Sequence, residues 1–124
     1  MPARKNSYRD LLVWQRGIDL VVDVYRLTKD LPPEERYGLR SQARRAVVSI
    51  PSNIAEGHGR WHPKEFLQSL SVARGSLQEL DTHFEVMTRL EYVTKKKTDA
   101  VTGLAEEVTR MLIGLIQSVR KRCG

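Results

Sequence analysis

Apolar residues recur along this chain in four stretches, each with spacings of three and four that place them on one side of an α-helix. In the first stretch Trp14, Ile18, Val21 and Tyr25 fall within a narrow arc, with Leu11 and Val22 flanking it. Asp30-Leu31-Pro32-Pro33 ends this helix, because proline lacks the amide donor and pushes its predecessor out of helical angles. The second helix begins near Glu34 to Tyr37, carries Leu39, Ala43, Ala46, Val47, Ile50 and Ile54 on one stripe, and stops at Gly57-His58-Gly59. Pro51 lies inside it and predicts a kink. The third opens at His62-Pro63 and carries Phe66, Leu70, Ala73, Leu77, Leu80, Phe84 and Met87, whose spacings alternate between four and three like the seam of a coiled coil. A connector at Tyr92-Val93-Thr94, with Thr94 as a cap, leads to Val101, Leu104, Val108, Met111, Leu115 and Val119 on the fourth stripe.

No strand-like alternation competes with these stripes, and short connections between helices of similar length favour antiparallel neighbours. The pattern therefore predicts an all-α protein: an antiparallel up-down-up-down four-helix bundle with a kinked second helix. It forms one domain over 1–124, with the ends 1–8 and 121–124 frayed. At 124 residues, area scaling allows roughly two-thirds of the extended chain's surface to be buried, enough for one core. The first helix carries an apolar surplus, because Val13, Leu20, Val24 and Leu27 form a second stripe about 100° from the Trp14 stripe. Either other helices of the bundle wrap it, or a second copy of the chain covers the extra stripe, and self-association is the expectation.

Composition narrows the setting. The single cysteine, Cys123, cannot form an internal disulfide, which suits a reducing cytoplasm. The basic N-terminal residues precede no apolar run of the kind a signal peptide needs, and no stretch is apolar for long enough to cross a membrane. Catalysis finds no support. His58, His62 and Glu56 cluster near a glycine-rich turn without matching a zinc-binding spacing, and Ser49 and Ser52 lack a recognisable His and Asp arrangement. No metal, cofactor or catalytic residue is expected.

Charge is more informative. The formal net charge is +6, and residues 36–60 hold five arginines against one glutamate, Glu56. Arg36, Arg40 and Arg44 project within about 80° of one another and, with Arg60, form the candidate surface for nucleic-acid phosphates. Trp61 and Tyr37 are the candidates for stacking on bases, since Trp14, Tyr25, Phe66 and Phe84 lie on apolar stripes. A second stripe on the same helix, Arg45, Ser49, Ser52 and Glu56 with Asn53 beside it, is the candidate polar network, within a chain or between chains. The leading expectation is a non-enzymatic homo-oligomer that binds RNA or DNA without sequence specificity. The alternatives are a scaffold for a protein partner and a hydrolase using Glu56 with His58 or His62.

Several motifs together carry a family resemblance. Asp10-Leu11-Leu12-Val13-Trp14-Gln15, Tyr37-Gly38-Leu39 with Gln42 and Arg44-Arg45-Ala46, and above all Ser49-Ile50-Pro51-Ser52-Asn53-Ile54-Ala55-Glu56-Gly57 resemble the bacterial four-helix bundle proteins related to the 23S ribosomal RNA intervening-sequence protein. Glu65-Phe66 and Ala73-Arg74-Gly75-Ser76-Leu77 continue the likeness, which weakens after Tyr92, and Gly17 departs from it where a better helix former is usual. The resemblance implies a ring of subunits, a homopentamer, with the block from Arg45 to Glu56 supporting assembly or a central channel. A related branch serves diversity-generating retroelements, where a basic pentamer binds reverse transcriptase and nucleic acid. By analogy alone, a reverse transcriptase is a conceivable protein partner. The resemblance brings no catalytic residues.

Overall fold

An amphipathic helix is stable in water only when other elements cover its apolar stripe. The computed structural model, which describes residues 7–60 and 62–123, shows four such helices covering one another. They are α1 (Leu12–Thr28), α2 (Leu39–His58), α3 (Pro63–Arg89) and α4 (Lys95–Arg122), with short 3-10 turns at Tyr8–Asp10 and Pro33–Glu35 and no strand among the described residues. Each helix packs against two others: α1 and α3 both contact α2 and α4, and the diagonal pairs do not meet.

Neighbouring helices run antiparallel. Gly17 of α1 lies against Pro51 of α2 while Thr28, at the other end of α1, meets Arg44. Between α2 and α3, Gly57 faces Ser69 and Ser49 faces Ser76. Between the first and last helices, Arg16 pairs with Glu107 and Asp30 approaches Lys97. Residue numbers thus fall on one helix as they rise on its neighbour, and the chain forms an up-down-up-down four-helix bundle.

The seam expected on α3 is buried at every position from Phe66 to Met87. Two other stripes are rotated from where periodicity placed them. On α1 the buried residues are Val13, Gly17, Leu20, Val24 and Leu27, the set read as surplus. The Trp14 stripe faces outward instead, with Trp14 and Val21 half-buried and Ile18, Val22 and Tyr25 exposed. Gly17 lies on this inward face, where a Cβ would make ordinary contact with the ring of Pro51 at 3.6 Å. On α4 the core positions are Thr98, Val101, Ala105, Val108, Leu112, Ile116 and Val119, while Leu104, Met111 and Leu115 sit at its edge.

Local chemistry sets the helix ends. The Thr94 hydroxyl accepts from the Lys97 amide at 3.3 Å, capping α4 as expected. The turn after α3 closes with the Tyr92 amide on the Met87 carbonyl and the Glu91 amide on the Thr88 carbonyl, both at 3.0 Å, with Glu91 left-handed at φ 61°. This is a Schellman cap with a glutamate where glycine is preferred. Pro51 does not interrupt α2, which is helical from Leu39 to His58, so the expected kink is no break in the helix. Toward the chain ends α4 continues through Arg122, and Tyr8 meets Trp14 edge-on at 5.2 Å.

Candidate nucleic-acid interface

The last turn of any α-helix leaves carbonyls without intrahelical donors, and cations are favoured there. At the end of α1 these groups are met from α2. Arg40 donates through Nε to the Thr28 carbonyl at 3.1 Å and through Nη2 to the Leu31 carbonyl at 2.7 Å. One turn further along, Arg44 donates through Nε to the Thr28 hydroxyl at 2.9 Å and through Nη2 to the Tyr25 carbonyl at 3.2 Å. Thr28 is fully buried, and its hydroxyl in turn donates to the Val24 carbonyl at 2.8 Å. The two arginines therefore hold α1 to α2 and are themselves held in place.

Each guanidinium has five N–H donors, so spending two leaves three on each for a ligand. Arg44 also lies over the Tyr25 ring, 4.5 Å from its centroid, and Arg36 lies over Tyr37 at 5.5 Å. Arg36 and Arg45 are exposed and form no ion pair with any described residue. All four arginines, Tyr25 and Tyr37 line one open groove at the α1–α2 corner, with Pro33, Ser41 and Val48 completing its wall and no carboxylate among the lining residues.

This grouping differs from the one expected from positions along the chain. Arg60 is not part of the groove: it lies beyond the far end of α2, about 24 Å along the helix from Arg44, and pairs with Glu56 at 3.2 Å. Arg45 replaces it. Within the chain, the stripe from Arg45 to Glu56 does not form one continuous network. Ser49 shares a 2.9 Å hydroxyl contact with Ser76 of α3, and Asn53 donates to the Ser49 carbonyl and hydroxyl at 2.8 and 3.0 Å. Ser52 stays exposed. The polar stripe thus divides into a small α2–α3 clasp at Ser49, Asn53 and Ser76, a surface ion pair at Glu56, and a groove residue at Arg45. Trp61 lies outside the described residues.

The family model for the 23S rRNA-intervening sequence protein matches residues 9–114. The chain belongs to this family. Among solved structures it is similar to a protein of unknown function from the S23 ribosomal protein family of Bacteroides thetaiotaomicron, at 24% identity, covering 86% of this chain and 96% of that one with a TM-score of 0.79. That likeness shows a shared fold. A comparison with curated proteins finds no match.

In this member of the 23S rRNA-intervening sequence protein family, three features escaped the periodicity. Tyr25, read as core, is 40% exposed at the groove. Arg16 bridges Asp19 at 2.7 Å and Glu107 of α4 at 2.9 Å; the Glu107 carboxyl is held below its ordinary range mainly by the hydrogen bond from Arg16, and that bond raises Arg16. His83 is buried on α3 with no hydrogen-bond partner at Nε2, which lies 3.9 Å from Glu79. Among the described residues no three His, Cys, Asp or Glu side chains are placed to hold a metal, and no helix is long and apolar enough to cross a membrane.

Proposed function

We propose that this protein is a non-enzymatic accessory factor that assembles with copies of itself, as a pentameric ring, and holds RNA or DNA by its phosphates. The observation that carries this reading is the groove of Arg36, Arg40, Arg44 and Arg45, which gathers four guanidinium groups without a carboxylate. Guanidinium forks suit phosphate oxygens, and two of these four are held in fixed positions by the end of α1. Assembly is supported by the outward face of α1, where Leu12, Ile18, Val22 and Tyr25 are exposed beside Val48 of α2. Five copies would carry a formal charge of about +30, which would steer polyanions toward the groove.

The test substitutes Arg36 and Arg45, because replacing Arg40 or Arg44 would also uncap α1. If all four arginines neutralise a phosphate, affinity for a labelled single strand falls roughly 50-fold between about 50 and 200 mM salt. The double variant Arg36→Gln, Arg45→Gln should bind more weakly and show about half that salt slope, with unchanged helicity. An affinity indifferent to salt rejects phosphate recognition. Binding of an acidic protein that unrelated RNA does not displace would favour the scaffold reading instead. Light scattering at micromolar concentration tests assembly, and a monomeric mass overturns it.

A further inference from the structure

Resting on the nucleic-acid reading above, we infer that the groove selects single-stranded over duplex nucleic acid, with Tyr37 as the platform on which an unpaired base stacks. Tyr37 is 85% exposed, the highest exposure of any large apolar or aromatic residue among those described. A lone exposed aromatic needs no explanation. This one stands in the α1–α2 connection, on the wall of a groove otherwise dominated by arginine. Its immediate neighbour Arg36 lies 5.5 Å from its ring centroid, so a cation and an aromatic face are presented together.

The second aromatic in the groove cannot serve equally. Tyr25 is 40% exposed, and the Arg44 guanidinium covers it at 4.5 Å while Arg44 is bonded to the Tyr25 carbonyl and the Thr28 hydroxyl. That guanidinium is fixed beside the ring, and its remaining donors meet phosphate. The groove therefore offers backbone recognition along Arg40, Arg44 and Arg45 and, at its edge, one largely exposed aromatic ring with Arg36 beside it. Bases in a duplex are already stacked and paired, so a ring at the groove edge gains nothing from them. An unpaired base can turn onto it, and base–aromatic stacking is tolerant of sequence.

The discriminating measurement is fluorescence anisotropy with the full chain, using a labelled oligothymidine and a blunt-ended duplex carrying the same number of phosphates. The wild type should bind the single strand more tightly at equal salt. Tyr37→Ala should weaken single-strand binding by about five-fold or more, leave duplex binding within two-fold (~2) and keep the salt slope of both unchanged; Tyr37→Phe should restore the single-strand affinity. Equal loss for both ligands, or no loss, overturns the inference while leaving phosphate recognition standing. Failure of both ligands to bind at low salt overturns the two readings together. Tyr37 is too exposed for its replacement to disturb the core, and circular dichroism of each variant checks that.

Discussion

At the scale of single residues, two buried glycines differ in the room that packing leaves them. A Cβ on Gly57 would fall 2.7 Å from the Ser69 Cβ and 2.8 Å from a Phe66 ring carbon, closer than side chains pack. Gly57→Ala should therefore destabilise the bundle by about 1–3 kcal/mol despite the better helix propensity of alanine. Gly17 has only ordinary contacts at 3.6 Å and beyond, so the same substitution there is tolerated sterically. Chemical denaturation of the two variants separates the cases: Gly57→Ala lowers the midpoint and Gly17→Ala does not. The Schellman cap gives the opposite kind of test. Glu91 occupies a left-handed conformation that costs an ordinary residue about 1 kcal/mol. Glu91→Gly should raise the melting temperature by a few degrees, about what 0.5–1 kcal/mol produces in a domain of this size; an unchanged or lower value would show that Glu91 makes a compensating contact.

At the scale of elements, α1 is fastened at both ends by charged groups from its neighbours: Arg40 and Arg44 of α2 near its end, and Glu107 of α4 through Arg16 near its start. The Arg16–Glu107 pair makes stability depend on pH in a stated direction. Its carboxyl titrates below the ordinary value of 4.5, so the unfolded chain takes up the proton first as pH falls. The contribution is present above that ordinary value and is lost as pH falls through the lowered one. Glu107→Gln should lose less stability than the wild type between about pH 6 and about pH 3, read as the shift in urea midpoint. Tyr92 acts at the other limb. Burial first, then its 3.1 Å hydrogen bond to Glu35, raises its hydroxyl, so its contribution holds below its ordinary value of 10.0 and fades as pH climbs through the raised one.

At the scale of the whole molecule, the bundle separates its chemistry by location. One corner, where the end of α1 meets the start of α2, collects cations and two tyrosines. The outward side of α1 carries the apolar residues left over after the core is filled. A replacement such as Ile18→Glu on that side should lower the assembled mass in light scattering without reducing helicity, because Ile18 is 37% exposed within the chain. If the mass stays the same, copies associate through another face.

Periodicity by itself determined the number of helices, their limits to within a few residues and the whole buried seam of α3, because hydrophobic spacing and helix breakers are local properties of the chain. It also picked out the helix 2 block that carries the family likeness, and the arginines as the chemistry worth following. It could not choose between two apolar stripes on α1, since both have helical spacing. The choice is made by the neighbours: the stripe of Val13, Gly17, Leu20, Val24 and Leu27 is the one turned toward α2 and α4, contacts that exist only once the helices are packed. The arginine set was decided in the same way. On a wheel Arg36, Arg40 and Arg44 look alike, yet Arg40 and Arg44 are anchored to carbonyls of α1, Arg60 is drawn to Glu56, and Arg45 turns out to share the groove. Charge can be counted along a chain, but which charges remain free for a partner depends on the groups that folding brings against them.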